Sequence, residues 1–131
     1  DIKKEIGSAL QLEKPLKMQI RGRDVVAGLP KTIELNSTDV TEAISERLDD
    51  IILAVKAVLE QTPPELSSDI IDRGMIMTGG GSLLRNIDKL MTKVTGVPSY
   101  VAEEPLLCVI KGTGIALENL DDYMRSVISN R

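Results

Sequence analysis

The sequence predicts an α/β fold, and three observations carry that expectation. Val40, Ile44, Leu48, Ile51, Ile52, Val55, Val58 and Leu59 recur at steps of three and four, the period of a helix with one buried face. Met75-Ile76-Met77 is a continuous apolar run, as in a strand covered on both faces, and it leads into Gly79-Gly80-Gly81. Leu83, Leu84, Ile87, Leu90, Met91 and Val94 then repeat at helical spacing, and Val97-Pro98-Ser99-Tyr100-Val101 reads as a second strand with proline at its start. Strand, helix and strand form a parallel, right-handed βαβ unit.

The remaining elements follow in order. Ile2, Ile6 and Ala9 have helical spacing, and Glu5-Ile6-Gly7 predicts a helix end near the glycine. Leu16, Met18 and Ile20 alternate, Arg21-Gly22-Arg23-Asp24 is turn-like, and Thr32-Ile33-Glu34-Leu35 is a second strand, so the two pair antiparallel across the apolar loop Val25–Pro30. Arg21, Arg23 and Lys31 read as solvated loop charges. Asn36, Ser37 or Thr38 caps the long helix, which runs to about Gln61, with Asp39 and Glu42 suited to its positive end. Asp49 and Asp50 are adjacent, so they diverge on a helix and face solvent. Thr62-Pro63-Pro64-Glu65 predicts a new, short helix with Thr62 as N-cap, Pro63 in its first position and Glu65 completing a capping box. Asp69, Asp72 and Arg73 predict a local ion pair. Glu104-Pro105 opens a last helix, Leu106 to Ile110, which propensity breaks at Gly112-Thr113-Gly114 before Ile115, Ala116, Leu117 and Leu120 resume the pattern. The tail 121–131 reads as a helix that frays.

Composition narrows the function. At 131 residues the chain holds one ordinary core or a core shared by two small subdomains, and its 42% hydrophobic and 27% charged residues are those of a globular protein. A net charge of −4 and only two aromatic residues, both tyrosine, argue against nucleic-acid binding, which needs cationic surfaces and stacking platforms. With no histidine, Ser-His and Cys-His catalysis and most zinc sites are excluded. The single cysteine, Cys108, forms no internal disulfide, which fits a reducing cytoplasm. The charged, helical start at Asp1, with no methionine, predicts a fragment or a processed chain. A parallel sheet of two strands is not expected to stand alone, so the apolar strand at Met75–Met77 predicts further strands supplied by upstream sequence.

The glycine stretch is the candidate site. Its backbone can turn sharply and admit a ligand close by, and the helix behind it presents N–H groups suited to phosphate. A tight strand-to-helix connection with no ligand reads equally well from these residues.

The motifs are more specific together. Met75-Ile-Met-Thr-Gly-Gly-Gly-Ser-Leu-Leu-Arg-Asn resembles the adenosine-binding turn of the actin, Hsp70 and sugar-kinase ATPase superfamily. In order, Glu5-Ile-Gly-Ser-Ala, Arg21-Gly-Arg-Asp, Gly28-Leu-Pro-Lys-Thr, Leu59-Glu-Gln-Thr-Pro-Pro-Glu-Leu, Asp69-Ile-Ile-Asp-Arg-Gly, the glycine loop, Val101-Ala-Glu-Glu-Pro-Leu and Gly112-Thr-Gly-Ile-Ala-Leu-Glu-Asn resemble the bacterial actins of the MreB/Mbl family, up to about Asn119.

That resemblance implies an actin-like ATPase fold of ribonuclease-H-like topology, with this chain as part of the second, C-terminal half only. It places 1–72 mainly in an outer subdomain and 73–131 in an inner one, and makes Leu106 to Leu117 one continuous helix. It implies ATP with Mg2+ bound between two halves, with Gly79, Gly80, Gly81, Ser82 and Lys3 as the contacts from this chain, on the adenosine and α-phosphate side. No catalytic or metal-ligating residue is expected here, so the segment alone should be inactive. The implied partners are further copies in a filament, the cell-wall elongation machinery, and the membrane through the other half, with a cytoplasmic, membrane-associated location and no nucleic acid. A sugar-kinase or Hsp70-like ATPase sharing the same turn is the alternative.

Overall fold

The computed structural model describes residues 1–121, 123 and 124. Five α-helices and four strands follow the chain: α1 (Ile2–Ile6), β1 (Lys17–Arg23), β2 (Pro30–Asn36), α2 (Ser37–Gln61), α3 (Pro64–Arg73), β3 (Met75–Met77), α4 (Ile87–Thr95), β4 (Ser99–Val101) and α5 (Cys108–Glu118). A 3-10 turn, Gly80–Leu83, lies between β3 and α4.

β1 and β2 pair antiparallel with Met18 opposite Leu35 and Ile20 opposite Ile33, so the alternating apolar residues share a face. The turn expected at Arg21–Asp24 is corrected, because β1 continues through Arg23 and the chain reverses over 24–29. Asp24 is the reason. Its Oδ1 accepts from the N–H groups of Val26 and Ala27, and its Oδ2 pairs with Lys31 at 3.0 Å. These contacts, the Ala27 N–H first, hold the Asp24 carboxyl below its ordinary value of 3.8.

α2 is the long element that the periodicity predicts. Asn36 caps it, accepting from the Asp39 N–H while Asp39 accepts from the Asn36 N–H. Ser37, almost fully buried, joins the hairpin to this helix. Its N–H donates to the Leu16 carbonyl, and its hydroxyl accepts from the Leu16 N–H. The capping box expected at Thr62 does not form, because the Thr62 hydroxyl donates backward to the Val58 carbonyl at the end of α2 and Pro63 takes the cap position of α3. Among the described residues no ion pair joins Arg73 to Asp69 or Asp72.

β3 and β4 pair in parallel, Met75 opposite Ser99 and Met77 opposite Val101, with α4 as the crossover. The expectation that β3 is covered on both faces is not met among the described residues: Ile76 is 70% exposed, and β4 is the one strand beside β3 there. α5 runs unbroken through Gly112 and Gly114, correcting the propensity break. It begins at Cys108 rather than Leu106, because Glu104 and Leu107 first form a turn in which Glu104 has φ +47°. Leu120, Asp121, Tyr123 and Met124 are helical, and the rest of the expected tail lies outside the described residues.

One core joins these parts. Ala9, Leu48 and Ile52 meet Ile87, Leu90 and Met91, with Leu10, Ile44, Met77, Leu84 and Val94 around them. The cluster draws on residues from both sides of the 72/73 boundary.

Met91, 3% exposed, sits in this cluster, so Met91→Ala is expected to cost about 2–5 kcal/mol in denaturant unfolding. The Asp24 carboxyl gives a pH signature. Its folded value is depressed, so the stabilisation it gives the loop is present above the ordinary carboxylate value and lost as pH falls through the depressed one. In an NMR titration the Val26 and Ala27 amides should move with a midpoint below 3.8, and Asp24→Asn should abolish that transition.

Candidate functional site

Gly79 turns the chain out of β3 with φ +80° and ψ 175°, a conformation open in practice to glycine alone. Its N–H donates to the Pro105 carbonyl at 2.8 Å, tying the turn to the loop before α5. Its carbonyl accepts from the Ser82 hydroxyl at 2.7 Å and the Ser82 N–H at 3.3 Å, and Gly81 O accepts from the Leu84 N–H. The helix expected to start directly behind the glycines is corrected. A 3-10 turn comes first, and α4 begins only after Asn86, which adopts a left-handed conformation. The regular helix N-terminus is therefore several residues from the glycines, which weakens the helix-dipole part of the phosphate argument.

Two cavities flank the turn. A larger one of about 630 Å³ is lined by Lys3 and Lys4 of α1, by Gly80, Leu83 and Leu84, and by Leu106. A smaller one of about 340 Å³ brings Gly81 and Ser82 beside Lys3, against apolar side chains of α2, β3 and α4. The structure thus sets Lys3 against Gly80 in the first cavity and against Gly81 and Ser82 in the second. Gly79 lines neither, and the Ser82 hydroxyl is turned inward onto Gly79. Lys4, Leu83, Leu84 and Leu106 line the larger cavity and were not among the expected site residues. Lys4 is legible as the neighbour of Lys3, whereas Leu106, over twenty residues past the turn, has no local signal. The larger cavity thus combines a glycine, three leucines and two lysines, a mixed apolar and cationic lining.

Comparison with known proteins identifies the relatives of this arrangement. The MreB/Mbl protein family matches residues 1–125. The chain belongs to that family. It is 52% identical to the cell shape-determining protein Mbl of Bacillus cereus over 121 residues, 92% of this chain and 36% of that protein. It is 51% identical to the cell shape-determining protein MreB of Escherichia coli over 120 residues, 92% of this chain and 35% of that one. The crystal structure of MreB5 of Spiroplasma citri bound to ADP superposes with a TM-score of 0.86 at 38% identity, covering 95% of this chain and 38% of that one. The same protein bound to AMPPNP gives 0.84.

The fold is accordingly the actin-like ATPase fold, and the chain is a stretch of a bacterial actin-like cell-shape protein rather than of a sugar kinase or an Hsp70-like ATPase. The expectation of a C-terminal half is corrected, since the match spans little more than a third of these relatives (36%, 35% and 38%), not a half. Among the described residues no helix is long and apolar enough to cross a membrane.

The glycines separate by conformation. Gly79→Ala forces a side chain into the φ +80° region and should cost about 1–3 kcal/mol. A Cβ at Gly81 meets nothing within 4 Å, so Gly81→Ala should stay within about 0.5 kcal/mol in the same unfolding measurement.

Proposed function

We propose that this MreB/Mbl chain supplies one wall of an adenine-nucleotide cleft in a filament-forming cell-shape protein. The observation that carries the proposal is the 630 Å³ cavity that sets Lys3 and Lys4 opposite Gly80. The apolar surface of Leu83, Leu84 and Leu106 suits an adenine face, the lysines suit the α-phosphate end, and the glycine backbone lets the nucleotide lie close. Gly79, Gly80, Gly81, Ser82 and Lys3 are the proposed contacts or supports. Gly79 and Ser82 act by shaping the turn. The related MreB5 was crystallised with ADP and with AMPPNP, which supports the same ligand class here.

Mg2+ is proposed to accompany the phosphates. In this reading the chain's part is to bind and orient the adenosine end. The division into an outer subdomain, 1–72, and an inner one, 73–131, is also a proposal, with α2 reaching from the hairpin into the shared core. Self-association into filaments at the membrane, in contact with the wall-elongation machinery, belongs to the same proposal and is supported by membership of a family named for cell shape. Closure of a cleft around nucleotide would favour one arrangement of the subunit, and that arrangement would favour filament contacts.

The test is nucleotide titration of the full-length protein containing this segment. A Cβ at Gly80 would lie 3.4 Å from Leu106 Cδ2, so Gly80→Val intrudes between these two lining residues and narrows the cavity. ATP and ADP affinity should fall at least tenfold, with nucleotide-dependent pelleting reduced in parallel. Unchanged affinity would remove the cleft assignment.

A further inference from the structure

Ser8 is fully buried, and two segments remote from it in sequence, at Thr41 and at Arg85–Asn86, converge on it. Its hydroxyl donates to the Leu10 carbonyl at 2.6 Å and accepts from the Asn86 side-chain amide at 3.1 Å. Its own carbonyl accepts from the Thr41 hydroxyl at 3.0 Å, and Thr41 sits in the first turns of α2. Beside it the Ala9 N–H donates to the Arg85 carbonyl at 2.8 Å, and the Arg85 guanidinium reaches the Glu5 carbonyl at 3.5 Å. The chain that carries Lys3 and Lys4 is thus clamped to the exit of the glycine turn.

Asn86 is the unusual member of the clamp. It occupies the N-cap position of α4, where an asparagine side chain ordinarily accepts a helix N–H, yet it makes no such bond. Its amide reaches Ser8 instead, 78 residues away. Its backbone is left-handed at φ 60° and ψ 18°, a conformation that asparagine tolerates better than most residues. The 3-10 turn has already ended at Leu83, and the left-handed Asn86 starts α4 with its side chain on Ser8 rather than on the helix N–H groups.

We infer that Ser8 and Asn86 are positioning residues for the nucleotide cavity, their hydrogen bond setting the separation between the Lys3–Lys4 wall and the Gly80 wall. The inference rests on the nucleotide reading above and deepens it. Lys3 and Lys4 lie on the short helix immediately before Ser8, and Leu83 and Leu84 lie immediately before Arg85 and Asn86, so both walls enter the clamp within a few residues. Neither Ser8 nor Asn86 lines the cavity, and they act through the residues that do. Through Thr41 the same clamp reaches α2, which begins where the hairpin strand β2 ends.

Asn86→Gly tests the clamp in the full-length protein. Glycine keeps the left-handed backbone and removes only the side-chain amide. Affinities for ADP and for AMPPNP should fall by the same factor, about tenfold, because the contact acts at the adenosine end and is blind to the γ-phosphate. Ser8→Ala should give a similar loss, and the Ser8→Ala/Asn86→Gly pair should lose no more than either alone, as two ends of one bond do. The melting temperature of Asn86→Gly without nucleotide should stay close to that of the parent. If Asn86→Gly binds both nucleotides like the parent while Gly80→Val is weakened, the clamp is overturned and the cleft stands. If the two single losses add in full, the bond is not the link and the inference is also overturned. If Gly80→Val itself binds normally, the cleft reading falls and takes the clamp with it.

Discussion

Contact between α2 and α4 is the interaction on which the rest of this chain depends. Leu48 and Ile52 from one helix, Ile87, Leu90 and Met91 from the other, and Ala9 between them form the main buried cluster. Among the described residues each sheet has two strands, an arrangement that is marginal in water without something packed against it. The β3–β4 pair rests on α4, its crossover, and the β1–β2 hairpin is tied to α2 through Ser37 and the Asn36 cap. Without the helix-to-helix contact the two sheets would be separate, unsupported ribbons. With it, the glycine turn that follows β3 and the segment that carries Lys3 and Ala9 are packed on one core.

The elements that could be read from the sequence are those whose stabilisation is local and periodic. α2 repeats its apolar residues over 25 positions and carries a capping asparagine, so its start and end were both legible. The βαβ unit was legible because an apolar triplet, a helical repeat and a proline-led strand occur in succession. Boundaries failed where a side chain chose between two equally local partners. Thr62 could cap the next helix or bond back to Val58, and the packing at the end of α2 decided for the second. Arg21-Gly22-Arg23 has the composition of a turn, but Asp24 three bonds away gathers two N–H groups and Lys31, which moves the reversal past it. Continuity of α5 through two glycines was invisible to propensity, because a weak local preference is overridden when the residues on either side are already helical.

The candidate site was legible in part, for a physical reason. Gly79, Gly80 and Gly81 look equivalent in sequence, yet only Gly79 has positive φ. The other two lie in the 3-10 turn with backbone angles any residue can adopt, and a Cβ at Gly81 would find no neighbour within 4 Å. Folding therefore demands one glycine, and the other two leave bare backbone facing cavities. A turn needed only to reverse the chain would have no use for that bareness, whereas a ligand lying against the backbone would. The Ser8–Asn86 bond had no signal in the sequence, since its partners are far apart and neither belongs to an apolar pattern.

The distribution of charge supports the same division of labour. This acidic chain, net −4, places Lys3 and Lys4 together at the mouth of its larger cavity, where Leu83, Leu84 and Leu106 form the opposite lining. The four ion pairs among the described residues lie elsewhere, on the hairpin, on α2 and at the start of α5, and all are solvent-facing. Such pairs contribute little to stability. The two lysines are in none of these four pairs, and both line the larger cavity. A cationic and apolar lining of this kind suits an anionic group with an apolar face.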